Sequence, residues 1–245
     1  MSFTCLPVGD TAVAVRFEQI IAERVNRRVV EMASQLERLA IKGIVEIVPA
    51  YASLTIYYNP LEVSYQEIVR VVQQLRDAAP SSRRWERTVT IPALYGGEHG
   101  PDLTEVARYH QLSEQEVIRL HAAPRYRVYM LGFSPGFPYL GGLPEVLATP
   151  RLETPRLRIP AGSIGIAGAQ TGIYSVDSPG GWRIIAHTPV PLFRLDDNPP
   201  FLLRVGDWLR FQPITREQYE AIARQVKAGT YQPEIVETSE NEVNG

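Results

Sequence analysis

The stretch GIYSVDSPGGWRIIAH, residues 172–187, sets two short runs of β-favouring residues on either side of an Asp-Ser-Pro-Gly-Gly break. Isoleucine, valine, tyrosine and tryptophan suit a pleated, half-buried surface, whereas proline and glycine interrupt helix and ladder alike. The same rhythm extends outward, to YRVYML at 126–131 on one side and WLRFQPI at 208–214 on the other, with Gly, Pro and Asp between. Many short strands with frequent turn signals predict a barrel or sandwich from Arg125 to Ile214.

Upstream the period changes. Residues 11–17 (TAVAVRF) read as a strand, and Ile21, Val25, Val29, Met32, Leu36 and Leu39 then recur at helical spacing. GIVEIV (43–48) and SLTIYY (53–58), joined by PAYA, read as a hairpin. Ser64 with Glu67 makes a capping-box pattern ahead of Ile68, Val71, Val72 and Leu75, so a second helix is predicted to about residue 79. The basic run PSSRRWER (80–87) breaks the periodicity and reads as a linker. TVTIPALY (88–95) then either closes a βαββαβ unit or opens a second domain, and spacing does not decide. Two short helices follow within residues 101–123, the second capped by Ser113 and Glu116, and Thr215 with Gln218 caps a last helix through Val226. The chain is thus α+β, with domains expected at 1–84 and 85–230 and a polar tail, 231–245, expected to be disordered.

Composition narrows the function. With a formal charge of −2 and 44% hydrophobic residues, the 245-residue chain reads as a soluble globular protein, not a nucleic-acid binder. The two short helices resemble a helix-turn-helix only superficially, because Glu114-Gln115-Glu116 at the leading end of the second would repel phosphates. No apolar run approaches the roughly 20 residues that span a bilayer, and MSFTCLPVGD lacks the regions of a signal peptide, so no membrane partner and a cytoplasmic location are expected. Cys5 is the only cysteine, which excludes an internal disulfide and a cysteine zinc cluster. The only lysines, Lys42 and Lys227, stand away from any glycine-rich loop, so a Walker loop is absent. His99, His110, His121 and His187 have no close ligand spacing, and no metal is expected. GSIGIAG (162–168) is followed by AQTGIYSV, which is not helical, so it reads as tight turns in a β-domain.

One group of polar residues is concentrated. Gln170, Thr171, Tyr174, Asp177, Ser178 and Arg183 lie within about twenty residues, interleaved with glycines. Amide, hydroxyl and guanidinium groups on rigid strands suit a small amide or carboxylate, and Arg183 is the natural carboxylate partner. His121 and His99 flank the β-domain and would serve as acid–base groups if folding brought them to a cleft. The candidate substrate-binding residues are therefore Gln170, Thr171, Tyr174, Arg183 and His121, and no residue is assigned as catalytic. LGFSPGFPYLGGLP (131–144) combines flexible, rigid and aromatic residues, and its Phe133, Phe137 and Tyr139 are interface candidates.

LGFSPGFPYLGGLP, the following TPRLETPRLRIPAGSIGIAGAQTGIYSVDSPGGWRII (149–185) and LLRVGDWLRFQPI (202–214) resemble the KipI family, also called the 5-oxoprolinase B subunit or allophanate hydrolase subunit 1. YGGEHGPDL, EVIRLH, VGDTAVAVRF and VEIVPAYASLTIYY match as well, so the resemblance runs to about residue 214. It implies a small ferredoxin-like N-terminal domain and a cyclophilin-like β-barrel. It also implies a component, inactive alone, that works with a KipA-like C subunit and a LamB/YcsF-like A subunit in an ATP-dependent 5-oxoprolinase, opening 5-oxo-L-proline to L-glutamate. No covalently bound cofactor is implied; ATP is used by the complex. The family's namesake supplies an alternative, inhibition of a sporulation sensor histidine kinase through protein binding, and the older name a third, amide hydrolysis related to urea. The resemblance departs at His187, where Arg or Lys is more usual, and at Ala169, where glycine is frequent.

Overall fold

The computed structural model describes residues 2–20, 22–77 and 85–239. The chain divides into two compact units, residues 1–84 and 85–245.

The first unit is built from β1 (Thr4–Val8), β2 (Ala12–Arg16), α1 (Glu23–Leu39), β3 (Ile44–Pro49), β4 (Ser53–Tyr58) and α2 (Tyr65–Gln74). Its sheet runs in the order β1-β2-β4-β3, antiparallel throughout. Alternate residues Val13, Val15, Leu54 and Ile56 share one core with Val25, Val29, Met32 and Leu36 of α1 and Ile68 and Val72 of α2. The expected hairpin and the Ser64–Glu67 capping box are both formed. The helix α1 begins at Glu23, and Ile21 lies outside the described residues. Sequence reasoning missed β1, a short edge strand turned back through Gly9-Asp10-Thr11, whose residues are mostly exposed and carry no alternation. That strand takes the sheet edge, and residues 88–95 belong to the second unit. Of the two alternatives that spacing left open, residues 88–95 therefore open the second unit and do not close a βαββαβ unit. Of the expected linker, Trp85–Arg87 already belong to a strand, and residues 80–84 lie outside the described residues.

In the second unit β5 (Trp85–Tyr95) leads to α3 (Leu103–Tyr109) and α4 (Glu114–Ala122), and then come β6 (Arg125–Leu131), β7 (Pro138–Gly141), β8 (Arg156–Ile159), β9 (Ser163–Ala167), β10 (Gln170–Ile173), β11 (Ser178–Gly180), β12 (Arg183–His187), β13 (Trp208–Pro213), α5 (Arg216–Lys227) and β14 (Ile235–Ser239). Seven strands follow one another as β12-β9-β10-β7-β6-β13-β5, and β12 pairs back onto β5 to close the barrel. Only an alternating pattern can fill such a barrel: Val89, Ile91 and Ala93, then Leu209 and Phe211, then Ile164, Ile166 and Ile173 point inward and are buried together. A strand β5 of eleven residues serves two partners on one edge, β14 along its first half and β12 at its end. Thr90 donates its amide to Glu234 on that edge, and Pro92, two residues on, falls in the gap between the two partners, where no amide is needed.

The strand β14 corrects the reading of 231–245 as a disordered tail: Ile235–Ser239 pair with Trp85–Val89 in register. Its composition, IVETS within a polar tail, hid a strand whose ladder is supplied by a partner far away in sequence. The capping box of Thr215 and Gln218 opens α5 as expected, and Ser113 caps α4 by accepting from the Glu116 amide.

Candidate functional site

Strand β10 and the residue after it separate the predicted site residues by direction. Successive side chains of a strand point to opposite faces, so Thr171 and Ile173 enter the barrel while Tyr174 packs outside it with Phe137 and Trp182. Two sites result from one cluster of sequence.

Inside the barrel, His121 of α4 is fully buried and stacks on Phe211 at 4.6 Å. Its Nε2 is 2.9 Å from the Thr171 hydroxyl, and its Nδ1 is 2.8 Å from the Tyr95 hydroxyl. Thr171 has one hydroxyl proton and donates it to the Gly165 carbonyl at 3.0 Å. Thr171 therefore accepts from Nε2–H, which leaves Nδ1 to accept from Tyr95. This chain of donors fixes a neutral imidazole, and burial pushes its pKa down from 6.5 to about 3. Each polar atom has a partner within the protein. The geometry makes His121 and Thr171 a satisfied core network that holds α4 to β5 and β10, with no opening toward a substrate.

Outside the barrel, LGFSPGFPYLGGLP forms the β6–β7 connection, tightened by amide bonds from Gly132 to Phe137 and from Phe137 to Ser134. Phe137, 2% exposed, is the hub of an aromatic cluster. Its ring meets Phe133, Tyr139, Tyr174 and Trp182 at centroid distances of 5.7, 5.2, 5.5 and 5.6 Å, each steeply inclined. Between these rings lies a groove of about 390 Å³, completed by Arg151, Pro155, Pro179, Gly180 and Gly181. Glycine is required at 180, because a Cβ there would stand 2.2 Å from the Tyr174 hydroxyl oxygen. Burial raises the Tyr174 pKa, with Arg151, the Trp182 amide and Arg156 pulling the other way.

Phe133 is unlike its neighbours. It is 68% exposed and holds φ at +65°, a left-handed conformation that costs an ordinary side chain about 1 kcal/mol or more. A large ring presented to water on strained backbone is an arrangement suited to contact with something else. Phe133→Gly is expected to leave stability within about 1 kcal/mol of the wild type, since relief of strain offsets the unfolded-state freedom of glycine. A denaturant shift worth more than about 3 kcal/mol would show a packed ring instead.

The arginines of this region are sorted by their partners. Arg156 forks onto Asp102 at 2.7 and 2.9 Å, Arg158 pairs with Asp177 at 2.6 Å, and Arg183 pairs with Glu105 at 2.6 Å while reaching the Pro150 carbonyl. Arg183, the expected carboxylate partner, is thus turned onto α3 and away from the groove. Arg151 instead lies at the groove, its guanidinium 5.9 Å from the Trp182 ring centroid. Gln170 sits at the start of β10, half-buried. Phe133, Phe137, Tyr139 and Tyr174 are therefore brought together at the groove, whereas His121 and Thr171 meet inside the barrel and Arg183 pairs with α3. Sequence reasoning missed Arg151 and Trp182; no local pattern says which of four nearby arginines lacks an acidic partner among the described residues.

His99, the other acid–base candidate, lies apart from both sites. Its ring is 4.5 Å from that of Tyr219, whose hydroxyl meets His187 Nδ1 at 2.9 Å. No group of three or more His, Cys, Asp or Glu able to hold a metal occurs among the described residues. Among those residues, too, no helix is long and apolar enough to cross a membrane.

Comparison with known proteins gives this geometry a lineage. The profile of the carboxyltransferase domain, subdomain C and D, matches residues 3–203. The chain belongs to that family. Within the family it is 45% identical over 225 residues to the 5-oxoprolinase B subunit of Bacillus subtilis, a match covering 87% of this chain and 94% of that protein. The crystal structure of TTHA0988 superposes with a TM-score of 0.75 at 39% identity over 83% of this chain; the chain spans only 40% of that longer one. The urea carboxylase of Kluyveromyces lactis shares the fold, with a TM-score of 0.76 at 19% identity over 97% of this chain and 24% of that one. This carboxyltransferase-domain chain thus has the α+β fold with a closed barrel found in its relatives. The relatives' names give no support to the kinase-inhibitor alternative.

Proposed function

We propose that this chain is the B subunit of a multi-component, ATP-dependent 5-oxoprolinase, a hydrolase that opens 5-oxo-L-proline to L-glutamate. The observation that carries the reading is 45% identity to a 5-oxoprolinase B subunit over 94% of that protein's length. Identity of this order over a whole polypeptide accompanies a retained set of contacts as well as a retained fold. The site fits a component that does not act alone: an aromatic groove is bordered by an exposed, strained Phe133, and its lining holds no nucleophile paired with a base. On this reading the partners are a KipA-like C subunit and a LamB/YcsF-like A subunit, and the complex is cytoplasmic. The barrel is read as cyclophilin-like, a resemblance of fold that brings no prolyl isomerase activity with it.

The glycine run at 162–168 is not read as an ATP-phosphate loop. Residues 162–168 form β9 and its flanking turns, and no helix N-terminus follows to receive phosphates. The reading therefore assigns ATP to another surface of the complex. A bacterium deleted for its own B subunit should accumulate 5-oxoproline, and expression of this chain should restore its consumption. Persistence of the accumulation, with the chain soluble and expressed alongside matching A and C subunits, would refute the proposal.

A further inference from the structure

We infer that the groove between Phe133, Phe137, Tyr174 and Trp182 binds a small planar carboxylate, with Arg151 as the residue that recognises its charge. The inference rests on the 5-oxoprolinase reading for the identity of the ligand, and on the geometry for the rest.

Three observations converge. The first is charge: Arg156, Arg158 and Arg183 each have an acidic partner, whereas Arg151 enters no ion pair among the described residues. A guanidinium 5.9 Å from the centroid of an indole ring, at the mouth of an aromatic groove, offers a planar fork to a carboxylate. The second is shape. A volume of about 390 Å³ lies within the roughly 300–1,000 Å³ usual for small-molecule sites, and the walls are ring faces and edges that suit a flat five-membered lactam. The third is the Tyr174 hydroxyl, on a residue 2% exposed whose ring lines the groove, approached closely because residue 180 has no side chain. A phenol there can donate to a lactam carbonyl once the carboxylate is held by Arg151. The binding step moves no proton and breaks no bond; ring opening is left to groups supplied by the partners.

Arg151 is exposed and makes no ion pair among the described residues, so its replacement should not disturb folding. Two measurements test the inference. In the reconstituted complex, Arg151→Ala should raise KM for 5-oxo-L-proline about 30- to 100-fold with a much smaller fall in kcat, and Arg151→Lys should recover part of the loss. With the full chain alone, titration of 5-oxo-L-proline should shift the Trp182 indole N–H resonance, while the uncharged 5-oxoprolinamide should shift it far less and Arg151→Ala should abolish the distinction. If the complex is active and Arg151→Ala leaves KM unchanged, the groove inference falls and the 5-oxoprolinase reading stands. If the chain supports no activity yet shows the acid-selective shift, that reading falls and the groove inference stands. Equal shifts from acid and amide would overturn the inference in either setting.

Discussion

Replacing His121 with alanine should lower the melting temperature of the barrel unit by about 10–20 °C. The substitution removes a fully buried ring stacked on Phe211 and takes a partner from two hydroxyls, that of fully buried Thr171 and that of part-buried Tyr95. A cavity of aromatic size and the loss of a partner by two hydroxyls, one of them fully buried, together cost about 4–6 kcal/mol, which in a unit of this size corresponds to a shift of that order. The same residue makes stability depend on acidity. Its pKa falls from 6.5 to about 3 on folding because the protonated ring cannot be buried without charge compensation. Between those values the unfolded chain takes up a proton and the folded chain does not, so stability is lost as pH drops through the window, by an amount on the order of 5 kcal/mol when complete. His121→Ala has no such proton to take up. The gap between wild type and variant should therefore narrow as pH is lowered from 7.5 to 4.5, as read from urea midpoints. Parallel curves would mean that His121 titrates normally and that the network is open to water.

Asp102→Ala should be nearly as damaging, at about 3–5 kcal/mol in chemical denaturation. The Asp102 carboxylate is buried at the head of α3, where it accepts a fork from Arg156 and the Ile184 amide at 2.6 Å. Removing the carboxylate leaves the buried Ile184 amide without its acceptor and the one-third-exposed Arg156 without its ion-pair partner. Arg156 also reaches the Trp182 carbonyl, so the loss spreads to the wall of the aromatic groove. Asp102→Ala combined with Arg156→Met should recover part of the stability, because the stranded cation goes too. A single-variant cost below about 1 kcal/mol would show that water replaces the carboxylate.

The barrel was legible because its evidence is local. Alternation in YRVYML and WLRFQPI and the punctuation of GIYSVDSPGGWRIIAH survive in any window of ten residues, and the capping boxes at Ser64 and Thr215 are read from four residues each. Closure of the barrel was not, since it depends on β12 returning to β5 and on β13 pairing with β5 in parallel, contacts more than ninety residues apart in sequence. The strands β1 and β14 escaped for a related reason: both are edges, whose apolar residues are mostly exposed and do not alternate with polar ones. At the site, the residue types that suit a small amide or carboxylate were visible, but a strand sends Thr171 and Tyr174 to opposite faces, and only the fold says that the wet, aromatic side is the one with room. The choice of Arg183 over Arg151 turned on Glu105, seventy-eight residues upstream of its partner. Sequence spacing holds no trace of such a pairing.

The most direct test of the account is glutamate and ADP formation by the purified components with this chain present or left out. The A and C subunits should release little glutamate from 5-oxo-L-proline by themselves, and adding this chain should restore glutamate and ADP production, saturating as the chain reaches equivalence with its partners. Full activity of those two without it, or none when all three are combined as an assembled complex, would contradict the assignment.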